Sequence, residues 1–221
     1  MEKGQRWAVI GPNGAGKTTL FRTVSGEIRP TGGRVELFGD DMTRAAPYRK
    51  AQRGVGRTYQ VTDLFDALTV ENNLIVATQA VTKTRFNFWS PVRMTGELDE
   101  AVTSMLAAVG LTNRRYNMVT ELSHGEQRQL EIAMALASNP TLLLLDEPAA
   151  GLSAAERKEM KELIGGLSSD LSVVLIEHDM TIALDLAERV LVLDNGDMIA
   201  EGSPDEIRNN QKVQDVYLRY E

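Results

Sequence analysis

Residues 7–19 read WAVIGPNGAGKTT, and this stretch decides the fold. Residues 7–10 are a short apolar run that ends at a glycine-rich loop, and residues 17–24 have a helical pattern. The loop, Gly11-Pro12-Asn13-Gly14-Ala15-Gly16-Lys17-Thr18, fits G-x-x-x-x-G-K-[ST] and stands where that motif must stand, after a strand and before a helix. Small residues let successive backbone N–H groups converge on phosphate oxygens. The helix that follows adds the positive end of its dipole. Lys17 can reach the β- and γ-phosphates, and the Thr18 hydroxyl can bind Mg²⁺. A glycine-rich turn that matches by accident is the competing reading, and the strand–loop–helix context argues against it.

Outward from the loop, residues 32–38 (GGRVELF) read as a strand leading to a turn at Gly39–Asp40. Residues 54–59 read as another strand, closing at Gln60. The middle then changes character. A helix begins near Thr69, a suitable N-cap. Residues 81–96 are irregular and hold Phe86, Phe88, Trp89 and Pro91. Residues 97–111 place Leu98, Val102, Met105, Leu106 and Val109 at amphipathic helical spacing. The βα alternation returns with the uninterrupted apolar run 142–145, expected of a parallel strand buried on both faces. Ser153-Ala-Ala-Glu156 is a capping box opening a helix, and residues 173–176 are a second buried strand. Residues 190–193 and 198–200 flank Asp194-Asn195-Gly196-Asp197, a strong hairpin signal. Ser203-Pro204-Asp205-Glu206 caps a final short helix. Together the flanks predict an α/β sheet with an antiparallel hairpin at one edge.

The 221 residues suffice for one large domain or two small ones, and 43% hydrophobic with 25% charged is the profile of a globular protein with a sizeable core. A formal net charge of -7 argues against a nucleic-acid-binding face. With no cysteine, disulfides, thiol catalysis and zinc–thiolate sites are excluded. No apolar run approaches the ~18 residues that would span a bilayer. A role at a membrane would therefore need an embedded partner.

Several residues carry chemistry beyond the loop. Asp146 ends a buried strand, where a carboxylate can bind Mg²⁺ directly or through water, and Glu147 beside it can polarise an attacking water. Two solvated acids at an ordinary strand end are the alternative, less favoured beside a phosphate-binding loop. His178 follows the strand 173–176; a lone histidine is more often structural than catalytic. In Leu122-Ser123-His124-Gly125-Glu126-Gln127, a serine and a glycine before a helix make a second anion-binding N-terminus, or simply a helix capped by Ser123.

These stretches, in this order, resemble the nucleotide-binding subunit of ATP-binding-cassette (ABC) transporters. GPNGAGKT matches Walker A, Gln60 the Q-loop, LSHGEQ the signature motif, LLLLDE Walker B, AAGLS the D-loop and His178 the switch histidine. Order and spacing agree from about Trp7 to the C-terminus. The resemblance implies a P-loop NTPase (RecA-like) α/β core with a mainly parallel central sheet, an antiparallel edge hairpin and an ABC-type helical insertion. It assigns residues 1–60 and 139–221 to the ATP-binding core and 61–138 to a helical subdomain bearing the signature motif.

The same resemblance implies an ATPase that uses ATP and Mg²⁺. Asn13, Gly14, Ala15, Gly16, Lys17, Thr18, Thr19 and Gln60 of one subunit would bind the nucleotide, with Ser123, Gly125 and Gln127 acting in trans from the other. Thr18, Gln60 and Asp146 would hold Mg²⁺. Glu147 would be the general base, with His178 and Lys17 at the γ-phosphate. Implied partners are a second ABC ATPase in a homodimer or heterodimer, integral membrane permease subunits and, indirectly, a periplasmic or surface solute-binding protein. No nucleic acid is implied. The chain would be cytoplasmic, peripheral on the inner face of the cell membrane. Leu64, Phe65 and Leu68, just after Gln60, are candidates for the permease contact, or else ordinary core residues of the insertion.

Finer features, among them GRTYQVTDLFDALTVENNL, LSHGEQRQLEIAMALASNP, IEHDM and GSPDEIRNNQKVQDVYL, resemble the ATPases of branched-chain amino acid importers. Two features depart from the pattern. His124 stands where most ABC proteins have glycine, a position at which this branch tolerates larger residues. The family also has about two more strands upstream, with an aromatic that stacks on adenine. The expectation is that these N-terminal strands are missing here, and Trp7 is not a convincing substitute for the aromatic. Rival readings are a soluble ABC ATPase without a transporter and a nucleotide-binding subunit with little hydrolysis. The absence of heptad arrays and cysteines argues against the first, and the presence of Glu147 and His178 against the second.

Overall fold

A computed structural model describes residues 1–58, 64–81 and 96–218. Gln60 and the stretch holding Phe86, Phe88, Trp89 and Pro91 lie outside the described residues. Among the described residues the chain runs β1 (Arg6–Ile10), α1 (Lys17–Ser25), β2 (Glu36–Leu37), β3 (Asp40–Asp41), α2 (Pro47–Gln52), β4 (Val55–Arg57), α3 (Val70–Val81), α4 (Gly96–Ala108), α5 (His124–Leu136), β5 (Leu142–Asp146), α6 (Ala154–Gly166), β6 (Ser172–Ile176), α7 (Met180–Leu186), β7 (Arg189–Asp194), β8 (Asp197–Gly202), α8 (Pro204–Arg208) and α9 (Gln211–Leu218). Short 3₁₀ turns precede α5.

A six-stranded sheet in the order β4-β5-β6-β1-β7-β8 forms the centre. All its pairings are parallel except β7–β8, the predicted edge hairpin. Asn195 and Gly196 both adopt left-handed φ at the hairpin tip, as a two-residue turn of this hand requires. Strand periodicity sorts the core into two layers. Ala8 and Ile10 of β1, Leu143 and Leu145 of β5, and Val173 and Leu175 of β6 join one cluster with Val70, Leu74, Val102, Leu106 and Leu130 of α3, α4 and α5. The alternate residues Val9, Leu142, Leu144 and Ile176 face Phe21 of α1. Burial on both faces is why β5 reads LLLL rather than alternating.

Three expectations change. The strand over residues 32–38 shrinks to the two-residue β2. The chain turns at Phe38 and Gly39, both at left-handed φ, so Asp40 already belongs to β3. The strand expected to close at Gln60 ends as β4 at Arg57, although the Thr58 amide still donates to the Leu144 carbonyl. The final short helix α8, capped by Ser203 and Glu206, is followed by a further helix, α9. The Thr69 cap holds, its hydroxyl accepting from the Asn72 amide at 3.2 Å.

Candidate nucleotide site

Sheet register gathers the predicted groups on one edge. Asp146 pairs with Ile176, and Ile176 with Val9, so β5, β6 and β1 end level with one another. From those three C-terminal ends emerge Glu147, then Glu177 and His178, then the loop at Gly11. Ligand sites of parallel α/β sheets form at this edge.

The loop is held from both sides. Gly11 sits at φ 149, and a Cβ there would come within 2.1 Å of the Leu193 carbonyl of β7, so only glycine fits between the loop and its neighbour strand. The Gly196 amide at the hairpin tip donates to the Ala15 carbonyl at 3.1 Å. Asn13 and Gly14 are exposed at the crest and Ala15 is buried beneath. Gly16, at φ 99, precedes α1 without any side-chain cap, and no acid stands in the first helical turn. The first-turn amides of α1 are therefore not claimed by a side chain. Thr18 and Thr19 are exposed there. Lys17 is buried, and its ammonium donates to the Gly11 (2.5 Å) and Pro12 (3.0 Å) carbonyls. Burial pushes its pKa down, while Glu147 and Asp146 pull it up.

Asp146 is buried, and its carboxylate faces Arg57 of β4 at 3.4 Å. Burial pushes its pKa up, and the guanidinium opposes the shift. Arg57 also binds Glu27 (2.5 Å) and the Ser25 hydroxyl (2.9 Å), so it ties the end of α1 to this carboxylate. Glu147 is half-buried at φ 49, left-handed for a side-chain-bearing residue, and its amide donates to the Ile176 carbonyl. Such strain is kept where function needs the geometry. His178 is exposed at the end of β6.

Ser123, Gly125 and Gln127 open α5. Ser123 caps the helix, accepting from the Glu126 amide while the Glu126 carboxylate accepts from the Ser123 amide. Gln127 turns inward, donating to the Val119 and Leu122 carbonyls at 3.5 Å each. None of the three is hydrogen-bonded to the glycine-rich loop among the described residues. Trp7 donates to the Gln5 side chain and lies under Arg189, 5.6 Å from its ring centroid, so it serves the sheet rather than the loop.

Three acids and bases at or near this edge escaped the sequence reading. Glu177 is 1% exposed, accepts from the Ala149 amide at 3.0 Å, and has its pKa pushed up by burial to about 7. It ends a buried strand just as Asp146 does, a signal that could have found it. Arg57 had no local signal. Glu156 was read only as a capping partner for Ser153, yet it also accepts from the Gly125 amide.

Comparison with known proteins places this geometry. The ABC transporter family matches residues 1–150. The family described as branched-chain amino acid ATP-binding cassette transporter matches residues 198–218, which span β8, α8 and α9. The chain is 38% identical over 99% of its length to the high-affinity branched-chain amino acid transport ATP-binding protein BraF of Pseudomonas aeruginosa, covering 88% of that protein. It is 39% identical over 96% of its length to the corresponding protein LivG of Escherichia coli, covering 86% of it. It is also 36% identical over 95% of its length to the lipopolysaccharide export system ATP-binding protein LptB of Haemophilus influenzae, covering 84% of it. Among solved structures, the ADP conformation of MJ1267, an ATP-binding cassette of an ABC transporter, superposes with a TM-score of 0.87 at 27% identity, over 98% of this chain and 88% of that one. The chain belongs to the ABC transporter family, among its ATP-hydrolysing subunits.

Proposed function

We propose that this ATPase energises uptake of branched-chain or related amino acids through integral membrane permease subunits at the inner face of the cell membrane. The observation that carries the ATPase mechanism is the level ending of β5, β6 and β1, which sets Glu147, His178 and the glycine-rich loop along one edge. The match of residues 198–218 to the branched-chain amino acid transporter family supports the substrate class.

In this reading residues 61–138 form the helical unit that bears the signature motif, and two subunits pair head to tail. ATP lies on the loop amides, Lys17, Thr18 and Thr19 of one subunit, with Asn13 to Gly16 shaping the cradle. Ser123 and Gly125 of the other subunit donate to its γ-phosphate, and the inward-turned Gln127 braces that helix end. The Thr18 hydroxyl and the Asp146 carboxylate, with Gln60, are hard oxygen donors of the kind Mg²⁺ takes. Among the described residues no cluster of three or more His, Asp or Glu makes a full protein cage, which suits an ion held largely by phosphate and water. When bound, Mg²⁺ neutralises charge on the phosphate oxygens. Glu147, held by its left-handed backbone, accepts the proton of the attacking water as that water's oxygen bonds to the γ-phosphorus and the bond to ADP breaks. His178 orients the water and the γ-phosphate, and Lys17 balances the charge.

The permease contact divides between the two readings of residues 64–68. Leu64 is half-buried and packs on the main core, and Leu68 is half-buried. Phe65 is 48% exposed, while its backbone is clamped by two hydrogen bonds to the fully buried Asn73. A cavity of about 470 Å³ opens beside Leu64, lined by Ala77, Ala80, Met134 and Ala135. The docking residue in this reading is Phe65. Phe65→Ala should keep the ATPase rate of the free subunit and lower uptake of leucine, isoleucine and valine by the assembled complex. Normal uptake of all three in cells lacking this chain would overturn the substrate assignment; normal uptake with a folded Phe65→Ala subunit would remove only Phe65 from the contact.

A further inference from the structure

The N-termini of α5 and α6 meet through one side chain. Glu156, in the first turn of α6, accepts from the Ser153 amide (3.0 Å), the Ser153 hydroxyl (2.7 Å) and, across to α5, the Gly125 amide (3.1 Å). The Ser123 hydroxyl adds to this environment. A Cβ on Gly125 would lie 2.9 Å from the Glu156 Oε1, so the carboxylate rests close against the Gly125 backbone, and a side chain at 125 would press on it. The Ser153 hydroxyl and amide first, then the Gly125 amide, hold the Glu156 pKa down to about 2. The group is an anion at every physiological pH.

Ser123 and Gly125 are the two donors that the proposed function gives to the γ-phosphate of ATP on the partner subunit. We infer that Glu156 is a further residue of the nucleotide site, whose carboxylate holds the Gly125 donor in the separate subunit and is exchanged for the γ-phosphate when two subunits close on ATP. This inference rests on the trans reading of Ser123 and Gly125. One N–H cannot serve a carboxylate and a phosphate at once, and two anions at contact distance repel. The exchange is feasible because Glu156 keeps its bonds to Ser153 at its own helix N-terminus, where its charge is welcome. ADP lacks the γ-phosphate that displaces the carboxylate. Glu156 therefore makes closure depend on the terminal phosphate and favours reopening after hydrolysis.

The test is ATP-driven dimerisation of the full chain carrying Glu147→Gln to arrest turnover, followed by sedimentation velocity. Glu156→Gln keeps the shape and the Ser153 cap but removes the anion. It should lower the ATP concentration for half-maximal dimer by about 3- to 10-fold, the scale of one ordinary net hydrogen bond at a solvent-accessible position. Glu159→Gln removes the same charge from an exposed position on the same helix and should shift it by less than about 2-fold, as expected of a screened surface charge. Glu156→Asp keeps the charge but is one methylene too short to reach Gly125. It should shift in the same direction as Glu156→Gln, and it replaces that variant should circular dichroism show it unfolded. An unchanged or higher ATP requirement in the folded variants overturns the inference, as does an equal shift in Glu159→Gln. Ser123→Arg in the same background should abolish the ATP-driven dimer. A dimer that persists there overturns the trans reading itself, and the role of Glu156 with it.

Discussion

Two helix N-termini in this chain face anions in opposite ways. At α1 the cap is Gly16 in a left-handed conformation, no side chain accepts from the first amides, and the first turn holds no acid. At α5 the protein supplies its own anions: Ser123 and Glu126 form a capping box, Arg114 pins Glu126 at 2.7 Å, and Glu156 lies over the Gly125 amide. The first arrangement forgoes a cap worth about 1 kcal/mol and leaves the donors for phosphate. The second keeps that stability and, in the exchange proposed above, would give up one partner before serving a phosphate. In the proposed mechanism, a permanent phosphate cradle and a half-site engaged only on closure would call for these two designs.

The largest effect that would sharpen the contrast is on turnover at the α1 side. Glu147→Gln should bind ATP and lose about 10²- to 10⁴-fold in steady-state hydrolysis, the range of a general base. A rate near the parent's would remove Glu147 from that role. The α1 side should also be the structurally costlier one to disturb. Arg57→Met leaves Asp146 buried without its cation, since both side chains are less than a tenth exposed. It should cost about 3 to 5 kcal/mol in urea unfolding. A loss below that of a surface substitution would show the pair to be incidental.

Next in size is a pH effect at Glu177. Folded, this carboxyl titrates near 7, against 4.5 for an ordinary glutamate. Between those values the folded state holds a proton that the unfolded chain has released, so stability falls as pH rises from about 4.5 to 7 and is level above. Glu177→Gln keeps an acceptor for the Ala149 amide and removes the slope. The variant should gain up to about 3 kcal/mol over the parent at pH 8 and nothing at pH 4. Parallel stability curves for the two proteins would refute the shift. The smallest effect belongs to α5, where Ser123→Ala should cost about 1 kcal/mol by loss of the cap. A cost as large as that of Arg57→Met would erase the contrast between the two regions.

Local signals were legible wherever one short stretch carries its own physics. The capping box at Ser153 and Glu156, the Asn195–Gly196 turn and the buried run of β5 all formed as read. The reading of residues 32–38 as a full strand failed at both ends: Gly33 and Phe38 take left-handed conformations, and the Phe38 side chain does not announce its turn. Leu64, Phe65 and Leu68 look alike in sequence, and only packing separates the exposed phenylalanine from its half-buried neighbours.

By itself the sequence determined the glycine-rich loop between β1 and α1, the edge hairpin, the carboxylates at the end of β5 and the serine–glycine start of α5. Each depends on the spacing of residues within one turn or one strand, where chain geometry leaves few alternatives. Tertiary structure decided which charges meet: Arg57 with Asp146 across 89 residues, Glu156 with Gly125 across 31, and Glu177 with Ala149 across 28. It also set the left-handed backbone of Glu147, which hangs on the bond of its amide to the Ile176 carbonyl. These contacts follow from sheet register and from how helix ends abut, and no local pattern encodes a partner that only folding brings within 3 to 4 Å.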